Sequence, residues 1–359
     1  MRGVAKRGVR SRGLAPRFYF LRAAALLLAA QFLSACVSVE IPLFARGGAL
    51  EERVIDGERG PKILLLDLSG SLGLRASSGL LGIPASESVV ARVREELERA
   101  ERDEEVAALV LRIDSPGGTV IASEILHREI LRHKLRTGRP IVAQLMGIAA
   151  SGGYYVAMSA DRVHAYPSTI TGSIGVIMLG FNASGLMEKV GVAPQTFTSG
   201  AFKDAGSPFR PMSDAERAQI QSVVADLFEG FVAVVERGRP ALSRARIEQL
   251  ADGRIYSAQQ ALDAGLIDAL GDLESAVAAA KSAAHVAGET RLVVYRRRGE
   301  SAENLFSATS GITQESAVAQ LRGALSESSF LYWWPGAANG ALVTGALDAA
   351  VSVGSPAAP

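Results

Sequence analysis

The sequence predicts an α/β fold built on a largely parallel sheet, and three observations carry that prediction. Short, nearly continuous apolar runs such as Ile63–Leu68 have the character of strands buried on both faces. They alternate with longer segments whose apolar residues recur at helical spacing. Glycine-rich loops lie at the junctions, where a crossover from strand to helix needs tight turns.

Taken in order, the chain opens with a leader. Arg2, Lys6, Arg7, Arg10, Arg12, Arg17 and Arg22 are seven cations with no acid before residue 40. An uncharged run from Ala23 to Leu33 follows, shorter than the roughly 20 residues a membrane-crossing helix needs. Small residues Ser34 and Ala35 then precede Cys36, so residues 1–35 have the layout of a secretory signal. Residues 36–60, with Gly47, Gly48, Gly57 and Gly60 among mixed charges, predict a tether. Lys62–Leu68 is the first strand. Ser88–Arg102 is a helix with Val89, Val90, Val93 and Leu97 on one face. Strand Val106–Ile113, helix Ser123–Arg136 and strand Ile141–Met146 continue the alternation. Arg162–Tyr166 and Ile174–Leu179 read as strands and Asn182–Val190 as a helix. A capping box at Ser213-Asp214-Ala215-Glu216 opens a long amphipathic helix from about 213 to 237. Residues 258–288 hold two shorter helices, and Leu292–Arg296 a last strand. The core domain is expected to span 61–290, with 291–359 a partly disordered extension. Its aromatic cluster, Phe330, Tyr332, Trp333 and Trp334, suits either a membrane interface or a patch packed on the body.

With 359 residues, 48% hydrophobic and 21% charged, the chain can bury a substantial core. A formal charge of +1 offers no broad basic surface for nucleic acid. Cys36 is the one cysteine, so no internal disulfide can form. Neither an HExxH spacing nor a cysteine pair points to zinc, and no cofactor is expected.

Three loops carry the chemistry. Asp114-Ser115-Pro116-Gly117-Gly118-Thr119 joins a buried strand to a helix, and paired glycines there let backbone approach a ligand closely. Gly147-Ile148-Ala149-Ala150-Ser151-Gly152-Gly153-Tyr154-Tyr155 makes the same transition, with small neighbours that leave the Ser151 hydroxyl accessible, as a nucleophile on a tight turn requires. Serine is equally an ordinary helix cap, and alone that reading would prevail. Ser199–Phe209 places Lys203 in a loop of small residues. A lysine serves as a base only as the free amine, which a closed apolar pocket favours, while Asp204 turned inward would oppose it.

Together these motifs, with Thr171-Gly172-Ser173-Ile174-Gly175-Val176, Arg210, Asp252-Gly253-Arg254-Ile255-Tyr256 and Gly265-Leu266-Ile267-Asp268, resemble the signal peptide peptidase A family, in order from about residue 61 to 280. The resemblance implies the crotonase and ClpP type of fold, with repeated β-β-α units and a C-terminal helical region. It implies a serine and lysine dyad acting through an acyl-enzyme: Ser151 as nucleophile, Lys203 as general base, Ser173 orienting the lysine, and Gly118 contributing to the oxyanion hole. Serine and lysine lie within one unit, as in the short type of the family, whose members form rings with clefts between subunits. A homo-oligomer, with eight subunits a candidate number, is therefore implied. The implied substrates are signal peptides left in the membrane, cut within their apolar cores.

Leu33-Ser34-Ala35-Cys36 also resembles a bacterial lipobox, which would make Cys36 the acylated first residue of a lipoprotein facing the periplasm. Val37 rather than aspartate after it favours the outer membrane. About 0.8 kcal/mol per buried methylene would hold such an anchor.

Rival readings fare worse. For a Ser-His-Asp hydrolase, His127 and His133 are too far apart to neighbour each other on a helix, and His164 lies inside a strand-like run. A crotonase working through two glutamates would need one near the second motif, yet none occurs between Glu129 and Glu188. A scaffold that had lost activity would have no need of both Ser151 and Lys203.

Overall fold

A computed structural model of the protein describes residues 49–74, 87–298, 300, 304, 306 and 330–338. The leader 1–35, Cys36 and the tail beyond 338 lie outside the described residues.

The first strands run β1 (Glu51–Asp56) and β2 (Lys62–Ser69), and helix α1 (Val89–Arg102) follows. Next come β3 (Val106–Ser115), β4 (Gly117–Thr119) and α2 (Val120–Thr137), a β-β-α unit. Then follow β5 (Ile141–Ala150), α3 (Gly152–Ala157), β6 (Arg162–Ala165), β7 (Ile170–Gly172) and β8 (Ile177–Met178). The helical region holds α4 (Ser184–Lys189), α5 (Asp214–Gly238), α6 (Arg244–Leu250), α7 (Ala258–Asp263) and α8 (Leu273–Ala283), interleaved with β9 (Ile255–Ser257) and β10 (Ala269–Leu270). Strands β11 (Arg291–Arg296) and β12 (Phe330–Trp333) come last.

The main sheet has the order β1-β11-β2-β3-β5-β6-β10, with β7 continuing alongside β5 and β9 alongside β7. Every pairing is parallel except β1 with β11 and β7 with β9. The apolar runs behave as two-faced strands: Leu64, Leu66 and Leu68 of β2 enter one core and Ile63 and Leu65 the other, as do Leu109 and Leu111 against Ala108 and Val110 of β3. On the first face pack Val93 and Leu97 of α1 and Leu126 and Ile130 of α2; Leu273, Ala276 and Ala280 of α8 close the second. Asp67, within β2, is completely buried between two guanidinium groups. Arg296 Nη2 lies 2.5 Å from its Oδ2, and Arg112 Nε bonds Oδ1. A buried carboxylate persists only with such partners.

Local capping explains where helices begin. Thr119 accepts from Ala122 N at 3.2 Å, starting α2 at Val120, ahead of the expected Ser123. The capping box of Ser213 and Glu216 is formed, and α5 runs from Asp214 to Gly238 as predicted.

Several expectations are corrected. Residues 51–56 are not tether but an edge strand, whose alternating charges hid it, and β11 lies inside the sheet between β1 and β2. The body therefore continues past residue 290. Of the expected strand Ile174–Leu179 only β8 (Ile177–Met178) forms, and β7 (Ile170–Gly172) is a separate strand before it, ended at Ser173, whose backbone takes φ 49. The aromatic cluster packs on the body: Leu331, Tyr332 and Trp333 are buried in β12, which joins β4 and β8 in a second sheet of order β4-β12-β8.

Candidate active site

Four of the singled-out motifs meet at the C-terminal ends of β3, β5 and β7. Ser151 is the residue that turns β5 into α3. Its backbone takes φ 50 and ψ −114, a conformation that disfavours any residue but glycine. Two hydrogen bonds hold it there: Ser151 N donates to Gly172 O at 2.7 Å, and Tyr155 N donates to Ser151 O at 2.8 Å. Its hydroxyl makes no capping bond to α3, so the helix-cap reading of this serine is set aside. Gly152 after it is obligatory, since a methyl there would come within 2.4 Å of Ser123 Oγ and 3.0 Å of Tyr332 O.

Beneath the turn, α3 is anchored by Tyr154, whose hydroxyl donates to Leu266 O at 2.6 Å and is pushed up to about 12 by burial. This bond explains why Gly265-Leu266-Ile267-Asp268 belongs to the pattern. Asp268 in turn accepts from Val163 N at 2.7 Å and from Arg239 Nη1 at 2.9 Å.

Ser173 follows Gly172 at the end of β7, the strand beside β5, and is buried. Its N–H donates to Arg254 O at 2.8 Å, and β9 pairs with β7 through Tyr256 and Thr171, which accounts for the Asp252–Tyr256 motif. Ser173 also lines a cavity of about 440 Å³ together with Val176, Ile177, Phe228, Trp333 and Trp334.

Gly118 sits in β4, one residue from a backbone bracket in which Leu72 N donates to Gly117 O and Thr119 N to Leu72 O, both at 2.9 Å. A methyl on Gly118 would fall 2.0 Å from Leu72 O, so backbone meets backbone and only glycine fits. Asp114 ties this loop to the serine loop by accepting from Ile148 N at 3.0 Å.

Lys203 lies apart. Its side chain is exposed in a loop whose residues 191–203 are exposed throughout, and among the described residues no hydrogen bond joins it to Ser151 or Ser173. The loop is nonetheless fastened at its base. Arg210 donates to Asp204 Oδ1 at 2.7 Å and to Glu216 Oε2 at 2.9 Å, linking it to the start of α5. Arg210 thereby holds the Asp204 carboxyl below the usual range and Glu216 at about 2. Asp204 thus turns to Arg210 and not toward the lysine. Around Lys203 the chain leaves Phe197, Phe202 and Phe209 exposed, the first by 95%.

Sequence reasoning missed Leu72, Asp114 as a loop tie, and Arg254 as the acceptor for Ser173. The first and last act through backbone atoms and leave no side-chain signal. Asp114 could have been found as a lone carboxylate at a strand end.

The sheet and this serine-centred cluster define an α/β protein with a largely parallel sheet. The family described as "Peptidase family S49" matches residues 133–287. A candidate signal peptide peptidase SppA of Enterococcus faecium is 37% identical over 227 residues, covering 63% of this chain and 65% of that protein. The chloroplastic serine protease SPPA of Arabidopsis thaliana is 33% identical over 230 residues, 63% of this chain and 33% of that one. Protease 4 of Haemophilus influenzae is 31% identical over 193 residues, 54% of this chain and 30% of that protein. The matched stretch thus spans under two thirds of each relative. Among solved structures, a membrane-bound stomatin-specific protease in complex with a substrate peptide aligns over 60% of this chain and 78% of that one, at 16% identity and TM-score 0.39. Residues 133–287 thus carry the match to Peptidase family S49, and over 63% of its length the chain is similar to serine peptidases of the SppA kind.

Proposed function

We propose that the protein is a serine endopeptidase that cleaves remnant signal peptides, and other peptides derived from membranes, through an acyl-enzyme. The observation that carries this reading is Ser151: a buried serine on a strained strand-to-helix turn, its hydroxyl unspent on capping, with Gly118 and Ser173 on neighbouring strand ends. In the reaction the Lys203 amine removes the Ser151 proton as Oγ attacks the substrate carbonyl carbon. The Gly118 N–H helps stabilise the oxyanion of the tetrahedral intermediate. Its collapse expels the amine product, which takes up the proton from Lys203, and leaves the acyl-serine. Water, deprotonated by the same amine, then attacks the ester and frees Ser151. Ser173 orients the lysine.

The exposed position of Lys203 supports an assembly in which this base reaches the serine of a neighbouring copy. Three exposed phenylalanines around it need a surface to cover them. On this reading the ring is head to tail, each cleft drawing serine from one subunit and lysine from the next. The basic leader and the Cys36 lipobox support export and lipid anchoring, with the domain facing the periplasm and the outer membrane favoured.

The test is peptidase activity of Ser151→Ala and Lys203→Ala, alone and mixed. Each alone should be inactive. Co-assembled one to one, they should recover roughly a quarter of parental activity, because a random head-to-tail ring restores that share of clefts. Undiminished cleavage by either variant would refute the dyad, and inactive mixtures would refute its sharing between subunits.

A further inference from the structure

Ser115, the last residue of β3, is fully buried, and both capacities of its hydroxyl are spent. It donates to Gly70 O at 2.5 Å, just beyond the end of β2, and accepts from Gly117 N at 3.1 Å. Its backbone packs against a third segment, since a methyl on Gly153, two residues after Ser151, would lie 2.7 Å from Ser115 O. One residue thus touches the end of β2, the loop of Gly118 and the first turn of α3. The neighbouring strand makes room for it. Ile113 pairs with Leu145 and Ser115 with Ala149, so β5 takes the longer path and bulges between Leu145 and Ala149. Asp114 Oδ1 fills that bulge by accepting from Ile148 N.

These bonds orient the peptide between Gly117 and Gly118. A trans peptide is planar, so its carbonyl and its N–H point in opposite directions. Leu72 N donates to Gly117 O at 2.9 Å, which turns the Gly118 N–H away from Leu72. Gly117 takes φ 105, an angle glycine reaches freely, so its own backbone does little to hold that orientation. The Ser115 hydroxyl supplies the constraint twice. It holds the Gly117 N–H directly, and through Gly70 O it holds the chain that presents Leu72. Pro116, between serine and glycine, has its φ restricted by its ring.

We propose that Ser115 is a positioning residue for the oxyanion hole: its hydroxyl fixes the plane of the Gly117–Gly118 peptide, and with it the aim of the Gly118 N–H at the oxyanion formed when Ser151 attacks. This role rests on the peptidase reading of Ser151 and Gly118. Such a donor engages its oxygen fully only in the transition state, so misaiming it lowers kcat and leaves KM nearly unchanged. A displacement of about 1 Å costs roughly a hundredfold, the lower end of what outright removal of a donor costs.

The test compares the full-length parent with Ser115→Ala. Hydrolysis of an internally quenched peptide with an apolar core gives kcat and KM, and a peptide aldehyde and its matching alcohol give two inhibition constants. The aldehyde carbon bonds to Ser151 Oγ, whose proton passes to Lys203, and the aldehyde oxygen then carries the charge that the Gly118 N–H meets. The alcohol occupies the same cleft without adding. Ser115→Ala should lower kcat roughly a hundredfold with KM changed by less than about twofold, and should weaken the aldehyde by a similar factor while sparing the alcohol. Thr169→Val removes another buried hydroxyl, one that bonds Leu145 O and Met146 O, and should lower stability without moving the ratio of aldehyde to alcohol affinity. A parent that cleaves peptides beside a Ser115→Ala enzyme with unchanged kcat and ratio would overturn the role and leave the peptidase reading intact. So would an equal loss of ratio in Thr169→Val, which would show that the ratio follows stability alone. A parent that neither cleaves the peptide nor prefers the aldehyde would overturn the peptidase reading, and this role with it. Where Ser115→Ala fails to fold, Ser115→Cys, which keeps a weak donor and acceptor, is read in its place. Its ratio should fall roughly tenfold, and an unmoved ratio would overturn the role.

Discussion

Ser151→Gly should make the protein more stable while abolishing turnover, and the size of the effect follows from the backbone. At φ 50 and ψ −114 a residue with a Cβ stores about 1–3 kcal/mol of strain. Glycine releases it, offset by about 0.5–1 kcal/mol of extra entropy in the unfolded chain. The net gain is about 1 kcal/mol. Ser151→Ala keeps both Cβ and strain, and the hydroxyl it removes makes no capping bond, so it should stay within about 0.5 kcal/mol of the parent. The backbone bonds to Gly172 O and from Tyr155 N survive in both variants. Urea denaturation of the three proteins, with parallel thermal melts, reads the ranking; a gain of this size moves Tm by about 2 °C in a domain this large. Both variants should be inactive, yet only the glycine variant should gain stability. If it proves less stable than the alanine variant, the turn is not strained, and geometry ceases to distinguish Ser151 from an ordinary serine.

Three further outcomes are expected. Gly118→Ala should cost at least about 1–3 kcal/mol in urea and remove activity, because its methyl meets Leu72 backbone at 2.0 Å with nothing flexible to yield. Arg210→Ala should lower kcat more than it raises KM, since it frees the Lys203 loop from Glu216; Arg210→Lys should not rescue it, as an ammonium lacks the planar fork that makes a paired contact with each of the two carboxylates. His127 is pushed down to about 4, first by burial and then by nearby Arg237 and Arg128. Its folded value lies below its ordinary 6.5, so its stabilising contribution is present above pH 6.5 and is lost as pH falls through 4, up to about 3 kcal/mol. His127→Phe should therefore flatten the acid limb of the stability profile between those values, and an unchanged limb would refute the assignment.

The parts of this fold that were legible are those where one physical rule dominates. Strand β2 announces itself because a chain segment buried on both faces has no polar side, and α5 because its capping box and apolar spacing agree. Ser151 stood out through the small residues around it, while Gly118 and Ser173 were singled out through the family resemblance; the structure places Ser151 and Ser173 at the ends of the paired strands β5 and β7, and Gly118 in β4. Strand β1 was hidden because an antiparallel edge exposes half its residues and tolerates Glu51, Glu52 and Arg53. Hydrogen bonds from backbone to backbone, such as Ser173 N to Arg254 O, are indifferent to the side chains that a sequence displays.

What sequence pattern could not convey is the asymmetry between serine and lysine. Ser151 is sealed and Lys203 is exposed, so within one chain the two are separated by more than distance: one is covered and the other has no cover. Both conditions disfavour chemistry. A serine closed to substrate cannot be acylated, and among the described residues no hydrogen bond joins the lysine to it. On the proposed reading, an arriving neighbour would close over the lysine and the three exposed phenylalanines beside it.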